Sequence, residues 1–201
     1  TRKWREALSS DELRFFLLVV TGATILIAID IAPLYTSIWE SLRYSVFQVA
    51  SIISTTGFAT ADFVLWPHFS QTILVLLMFC GACAGSTGGG IKCSRVLILL
   101  RSIRREIHRV IHPRSVEVVK LDGKVVEEDT LRSISVFVGS YLFIILAATL
   151  IISLDDFPFS VSFSSALTCI SNVGPGLELV GPTGNFSAFS HLSKIVMSLC
   201  M

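Results

Sequence analysis

The sequence is short of charge. Of its 201 residues, 15% are Asp, Glu, Lys or Arg and 52% are hydrophobic, whereas a soluble domain carries nearer a quarter charged. No charged residue occurs from Ser133 to Leu154. From Phe63 to Ile91 there is no Asp, Glu, Lys or Arg, and His68 is the one histidine. Runs of that length can cross a bilayer, which takes about 20 apolar residues, and the buried elements of a soluble α/β enzyme are usually much shorter. An integral membrane protein is therefore expected, and a soluble enzyme is set aside.

Catalytic equipment is also missing. There is no HExxH, no clustered intramembrane acid pair and no Ser/His pairing. His68, His108, His112 and His191 fall in loops or near the ends of apolar runs, and His68 is expected in a solvated loop. The run Gly81-Ala-Cys-Ala-Gly-Ser-Thr-Gly-Gly-Gly90 is not a phosphate loop, which requires GxxxxGK[ST]. Here Ile91, Lys92 and Cys93 follow Gly90, and no strand precedes the run. The five cysteines are odd in number and sit mostly in apolar segments, so they do not form a disulfide framework. Cys80 and Cys83 make a CxxC with no second pair and read as small packing residues. No cleavable signal peptide is visible. The chain opens on Thr1 without an initiator Met and stops inside an apolar run at Met201, so a piece of a longer protein is expected.

What is present repeats. Residues 1–12 form a polar lead with Arg2, Lys3 and Arg5. A first span is expected over 13–30, with Arg14 and Asp30 snorkelling to opposite interfaces. Ser37-Ile-Trp-Glu40 fits a capping box and opens a helix over 37–53 that is too short and too polar to span. Such a segment between spans is expected to be re-entrant, which is tolerated where protein or a watery cavity surrounds it; an amphipathic interfacial helix is the alternative. Ser54-Thr-Thr-Gly-Phe58 follows, then a polar return in which Trp66 suits a membrane interface. Residues 70–109 form a broken span. Its glycine run cannot be a comfortable helix, since each glycine costs about 1 kcal/mol relative to Ala and Gly88, Gly89 and Gly90 are consecutive. Gly81 and Gly85 also make a GxxxG packing motif. Broken helices at membrane depth are found where unwound backbone lines a pathway.

Residues 110–130 are the polar connection, with Asp122-Gly123 as a hairpin signal. A second unit then fills 131–201: a span over 131–154, a short helix over 160–170, a turn at 171–175, and the start of a last span over 189–201. Setting Gly57 on Gly174 also sets Ser45 on Ser162, Ser51 on Thr168, Ile53 on Ile170 and Ser54 on Ser171. The fold expected is thus all-α and integral to the membrane, with two membrane–pore-loop–membrane repeats, re-entrant pore helices and one broken helix. Lys92, Arg95, Arg101, Arg104, Arg105, Arg109 and Arg114 face Glu106 alone in the first half of the connection. Beside a span this is a positive-inside signature rather than a nucleic-acid site. The opposite loops carry Asp30, Glu40, Asp62, Asp155, Asp156 and Glu178, so both turns are expected to enter from the outer face, at an acidic mouth that concentrates cations.

Thr55-Thr-Gly-Phe58, Gly85-Ser-Thr-Gly-Gly-Gly-Ile-Lys92 and Asn172-Val-Gly-Pro-Gly176 resemble the Trk/Ktr/HKT superfamily of cation transporters. They are most similar to the membrane subunits of bacterial Trk potassium uptake. The resemblance covers almost the whole chain and implies the third and fourth of four repeats around one pore. It implies filter turns at Thr55, Thr56, Gly57 and Phe58 and at Asn172, Val173, Gly174 and Pro175. Potassium would be bound by the backbone carbonyls of Thr55, Thr56, Asn172 and Val173. It assigns a gate loop to Gly81, Gly85, Ser86, Thr87, Gly88, Gly89 and Gly90. It further implies K+ as the transported ion with no organic cofactor, a homodimer in the bacterial inner membrane, and a cytosolic nucleotide-binding regulatory subunit. A non-conducting assembly subunit and a membrane-embedded enzyme remain the alternatives. Potassium against sodium preference, and coupled against channel-like flow, stay open at this point.

Overall fold

A computed structural model of the chain describes residues 10–112 and 118–201. The basic lead around Arg2, Lys3 and Arg5, and Arg114 in the connection, lie outside the described residues. The described chain is mostly helical. The elements run α1 (Asp11–Ile31), α2 (Ile38–Ile53), α3 (His68–Phe79), β1 (Cys80–Gly81), β2 (Ile91–Lys92), α4 (Cys93–Ile111), β3 (Lys120–Leu121), β4 (Lys124–Val125), α5 (Glu128–Ile152), α6 (Phe159–Ser171) and α7 (His191–Cys200). The stretches Asp11–Leu34 and Glu128–Asp155 are long and apolar enough to cross a membrane, while α3, α6 and α7 are shorter apolar helices.

Helix α1 is uninterrupted until Pro33, whose ring removes a backbone N–H, and the chain there tightens into a 3-10 turn over Ala32–Leu34. Thr21 donates to the Leu17 carbonyl at 2.6 Å, which satisfies a hydroxyl on an otherwise apolar surface. Leu18 and Ile29 on α1, Leu76 on α3, and Phe143, Leu146 and Leu150 on α5 are exposed. That much outward apolar surface on neighbouring helices marks an interaction face.

Four local details differ from the sequence reading. At the start of α2, Ser37 Oγ accepts from the Trp39 amide at 3.3 Å. Glu40 does not close the capping box, because the Thr36 hydroxyl meets its carboxylate first, at 3.1 Å. Trp66 does not face outward: it is buried in the first apolar core, with Nε1 donating to Tyr35 at 3.1 Å. His68 is exposed but begins α3 rather than sitting in a loop. Asp30 does not snorkel outward. Its carboxylate accepts from the Ser70 amide at 3.2 Å and the Ser70 hydroxyl at 2.5 Å. The N-cap position of α3 is Pro67, which has no side-chain cap to offer, so Asp30 satisfies a free first-turn amide instead. Asp155, just beyond α5, acts similarly on α7 by accepting from the Ser190 amide at 3.0 Å.

The ends of the broken segment are not free. Parallel pairing joins Cys80 to Ile91 and Gly81 to Lys92, so α3 and α4 are stitched together across the glycine run. In the connection, β3 and β4 pair antiparallel around Asp122 (φ 50°) and Gly123 (φ 75°), the left-handed pair a tight hairpin needs. One apolar core gathers α1, α2 and α3 and also takes in Tyr141, Ile145, Leu167 and Val173 from the second half. A second core joins Ala148, Ile152, Val161, Ala166, Val180, Phe189 and Met197. The two halves therefore meet through residues that flank the second turn.

Candidate functional site: two matched turns over a glycine loop

Helices α2 and α6 each end on one of the two turns, and the turns share a backbone pattern. In the first, the Thr55 amide donates to Ile52 O at 3.0 Å and the Thr56 amide to Ser51 O at 2.9 Å. In the second, the Asn172 amide donates to Cys169 O at 3.1 Å and the Val173 amide to Thr168 O at 3.0 Å. Ser51 Oγ donates to Phe58 O at 2.6 Å, and Thr168 Oγ1 donates to Pro175 O at 3.2 Å. The φ angles follow the same register: Thr55 at 57° with Asn172 at 53°, and Gly57 at 77° with Gly174 at 106°. Every one of these pairs is an equivalence obtained by laying Gly57 on Gly174.

The residue types suit this geometry. Positive φ is rare outside glycine but tolerated by asparagine, and Asn172 occupies that position in the second turn. Thr55 holds the same conformation with a less suitable side chain, and its Oγ1 is engaged by the Gly89 amide at 3.3 Å. Ser54 Oγ donates to Ala50 O at 2.6 Å and meets Thr56 Oγ1 at 2.8 Å. Ser171 is fully buried and shares a 2.6 Å hydrogen bond with Tyr141 of α5.

The turns touch one another. A Cβ on Gly57 would lie 2.2 Å from the Val173 carbonyl oxygen and 3.2 Å from Pro175 Cδ, so that contact requires glycine. Above it is a cavity of about 630 Å³ lined by Gly57, Phe58, Gly174 and Pro175, with Ala59–Asp62 and Gly181–Gly184 around its wall. Phe58 is exposed, Val173 is buried and Pro175 is half-buried. Helices α2 and α6 end immediately before the two turns, and the C-terminal end of a helix carries partial negative charge.

The glycine run lies against both turns. A Cβ on Gly88 would sit 2.9 Å from Thr55 Oγ1, and one on Gly89 only 2.0 Å from the Ser171 carbonyl oxygen. Gly81 is equally constrained, its Cβ position falling 2.2 Å from Gly89 O, while Gly85 and Gly90 have φ 86° and 70°. Ser86 and Thr87 form the exposed edge of the loop. Lys92 braces it: its ammonium donates to Ser86 O and Ser86 Oγ, both at 3.0 Å, and to Gly88 O. Thus Thr55 meets Gly88 and Gly89, Asn172 meets Gly89, and Gly57 meets Val173 and Pro175, whereas Gly85, Ser86 and Thr87 are exposed.

The brace that Lys92 forms and the contact that Tyr141 makes are not expected from the sequence alone. Ser51 and Thr168 are already paired by the register, and each hydroxyl holds a carbonyl of its own turn. Lys92 lies two residues past Gly90, the end of the run. Tyr141 gave no local signal. Among the described residues no group of three or more His, Cys, Asp or Glu is placed to hold a metal ion.

Comparison with known proteins gives a consistent picture. Residues 7–201 match the model of a family described as TrkH, cation transport protein. The Trk system potassium uptake protein TrkH of Salmonella typhimurium is 34% identical over 167 residues, covering 82% of this chain and 34% of its own length. TrkG of Escherichia coli, also a Trk system potassium uptake protein, is 33% identical over 203 residues, covering 100% of this chain and 41% of its own. The crystal structure of the potassium transporter TrkH from Vibrio parahaemolyticus superposes with a TM-score of 0.86 at 29% identity, over 96% of this chain and 41% of that one. The chain spans roughly a third to two fifths of the length of these relatives.

Proposed function

The chain belongs to the TrkH family of cation transport proteins, and from that membership we propose that it supplies the third and fourth membrane–pore–membrane repeats of a bacterial inner-membrane potassium-uptake protein. The family is one of transporters, not enzymes, so the enzyme alternative falls away.

In this reading, segments 54–58 and 171–175 are two of four filter turns. A potassium ion that sheds water needs oxygens in its place, and backbone carbonyls held in a constrained turn supply them without burying a charge. The carbonyls of Thr55, Thr56, Asn172 and Val173 take that role. Helices α2 and α6 are the re-entrant pore helices, and their C-terminal dipoles favour a cation at the turns. The cavity bounded by Gly57 and Gly174 is the outer vestibule. The connection around Arg101–Arg109 lies on the cytoplasmic side. Segment 81–90, packed beneath both turns, is the gate, and its docked position occludes the path. The working protein is a homodimer in the lipid bilayer, controlled by a cytosolic nucleotide-binding subunit.

The observation that carries this proposal is the matched hydrogen bonding and φ pattern of the two turns, 117 residues apart by their register (174 less 57). A shared pattern of this kind is expected of two quarters of one ring. The test is rubidium uptake by the full-length protein in cells lacking their own potassium uptake. Uptake that potassium competes for supports the proposal. No uptake from a protein present at normal levels in the membrane would instead favour a non-conducting assembly subunit.

A further inference from the structure

The glycine loop is held by a side chain far from it in sequence. Oε1 of Glu12, in the first turn of α1, accepts from the Ala84 amide at 2.5 Å and from the Ser94 amide at 3.2 Å. These partners are 72 and 82 residues away. They bracket Gly85, Gly88, Gly89 and Gly90: Ala84 lies within the run just before Gly85, and Ser94 lies in the first turn of α4, just after the run. One carboxylate oxygen therefore ties the first part of the loop to the helix that follows it.

The chemistry of both partners favours an anion. First-turn amides of a helix have no intrahelical acceptor. The N-cap position of α4 is Lys92, which provides no side-chain cap, and its ammonium is turned toward Ser86 and Gly88 instead. A carboxylate at a helix N-terminus is stabilised by the helix dipole. Ala84 is exposed, so its amide is held by Glu12 where water would otherwise compete.

Glu12 is itself fixed in place. The adjacent Asp11 accepts from Arg101 of α4 at 2.9 Å and from the Asp122 amide of the hairpin turn at 3.2 Å. In return the Asp122 carboxylate accepts from the Asp11 amide at 2.6 Å. The start of α1 is thus bolted to both α4 and the hairpin, and the Glu12 side chain reaches the loop from a rigid base.

We propose that Glu12 is a positioning residue for the gate: a latch that keeps the glycine loop docked under Thr55 and Ser171, so that opening requires the Ala84 and Ser94 amides to leave its carboxylate. The proposal rests on the gate assignment made above. It differs from a general structural role because it concerns the balance of docked and released loop, not the fold.

The experiment uses the full-length transporter in proteoliposomes, with two readouts. One is rubidium flux. The other is the rate at which a soluble thiol reagent modifies Cys83, which is half-buried in the loop beside Ala84, the remaining cysteines having been replaced. Glu12→Ala should raise resting flux about tenfold, or about 1.4 kcal/mol, which is within what two hydrogen bonds to a charged group supply. It should speed Cys83 modification by a similar factor. Glu12→Gln keeps an accepting oxygen at the same reach and should stay within about threefold of the parent. If the alanine variant does not fold, Glu12→Asp, one methylene too short, carries the same expectation. Unchanged Cys83 modification in the alanine variant, or identical behaviour of the alanine and glutamine variants, overturns the latch. Faster modification with unchanged flux upholds the latch and overturns the gate assignment instead.

Discussion

Replacing Gly57 by alanine probes the contact between the two turns. The new methyl carbon would sit 2.2 Å from the Val173 carbonyl oxygen, whereas even a close carbon–oxygen contact is about 3.3 Å. The contact must therefore open by about 1 Å, the excess of an ordinary carbon–oxygen separation over the built one. At φ +77° an L-residue also carries roughly 1–2 kcal/mol of backbone strain. Both effects fall on the group proposed to replace the water of the ion. Gly174→Ala separates them: its φ is +106° but nothing lies within 4 Å of the added carbon, so it carries strain without the clash. The assay is rubidium uptake by the full-length protein with sodium as competitor. Gly57→Ala should lose potassium-over-sodium preference by at least about tenfold, or about 1.4 kcal/mol, and Gly174→Ala should lose distinctly less. Unchanged preference in a normally inserted Gly57→Ala protein would refute the reasoning.

Three further outcomes are expected. Gly89→Ala places a carbon 2.0 Å from Ser171 O, so the loop cannot dock and resting rubidium flux should rise; equal or lower flux at normal expression contradicts this. Ser51→Ala and Thr168→Val each remove the hydroxyl that ties its turn, to Phe58 and Pro175 respectively, and each should lower stability by about 1 kcal/mol in thermal denaturation. Arg101 beside Asp11, with the Asp122 amide, holds the Asp11 carboxyl below its ordinary value of 3.8. A depressed carboxylate stabilises the fold fully above its unfolded value and loses that contribution as pH falls through the folded one. Asp11→Asn should therefore lower the melting temperature near neutral pH, with the difference from the parent vanishing in acid below the ordinary carboxylate range.

Much of this architecture is legible in the residues because it depends on local composition. Long uncharged runs mark α1 and α5, and three consecutive glycines mark where a helix cannot continue. The Asp122-Gly123 pair marks a hairpin turn because few other dipeptides accept two left-handed conformations. The equivalence of Gly57 and Gly174 is readable because positive φ leaves a sequence trace. The contacts that assemble the site leave no such trace. Glu12 looks like any acidic residue in a helix first turn, yet it serves a loop 72 residues away. Asp30 and Asp155 look like span-end charges, yet they cap α3 and supply an acceptor at the start of α7. Trp66 has the amphipathic character of an interface residue, and only the packing around Tyr35 places it in the core. In each case local chemistry defines what a side chain can do, and tertiary proximity selects which of those things it does.

The central claim is that the two turns hold a potassium ion through their backbone. The direct measurement is a crystal structure of the full-length protein grown with rubidium or thallium, read by anomalous scattering. Peaks within coordinating distance of the carbonyls of Thr55, Thr56, Asn172 and Val173, lost when sodium replaces the heavy ion, are the predicted result. A well-ordered filter region with no ion between segments 54–58 and 171–175, or an ion held elsewhere by side chains, would contradict it.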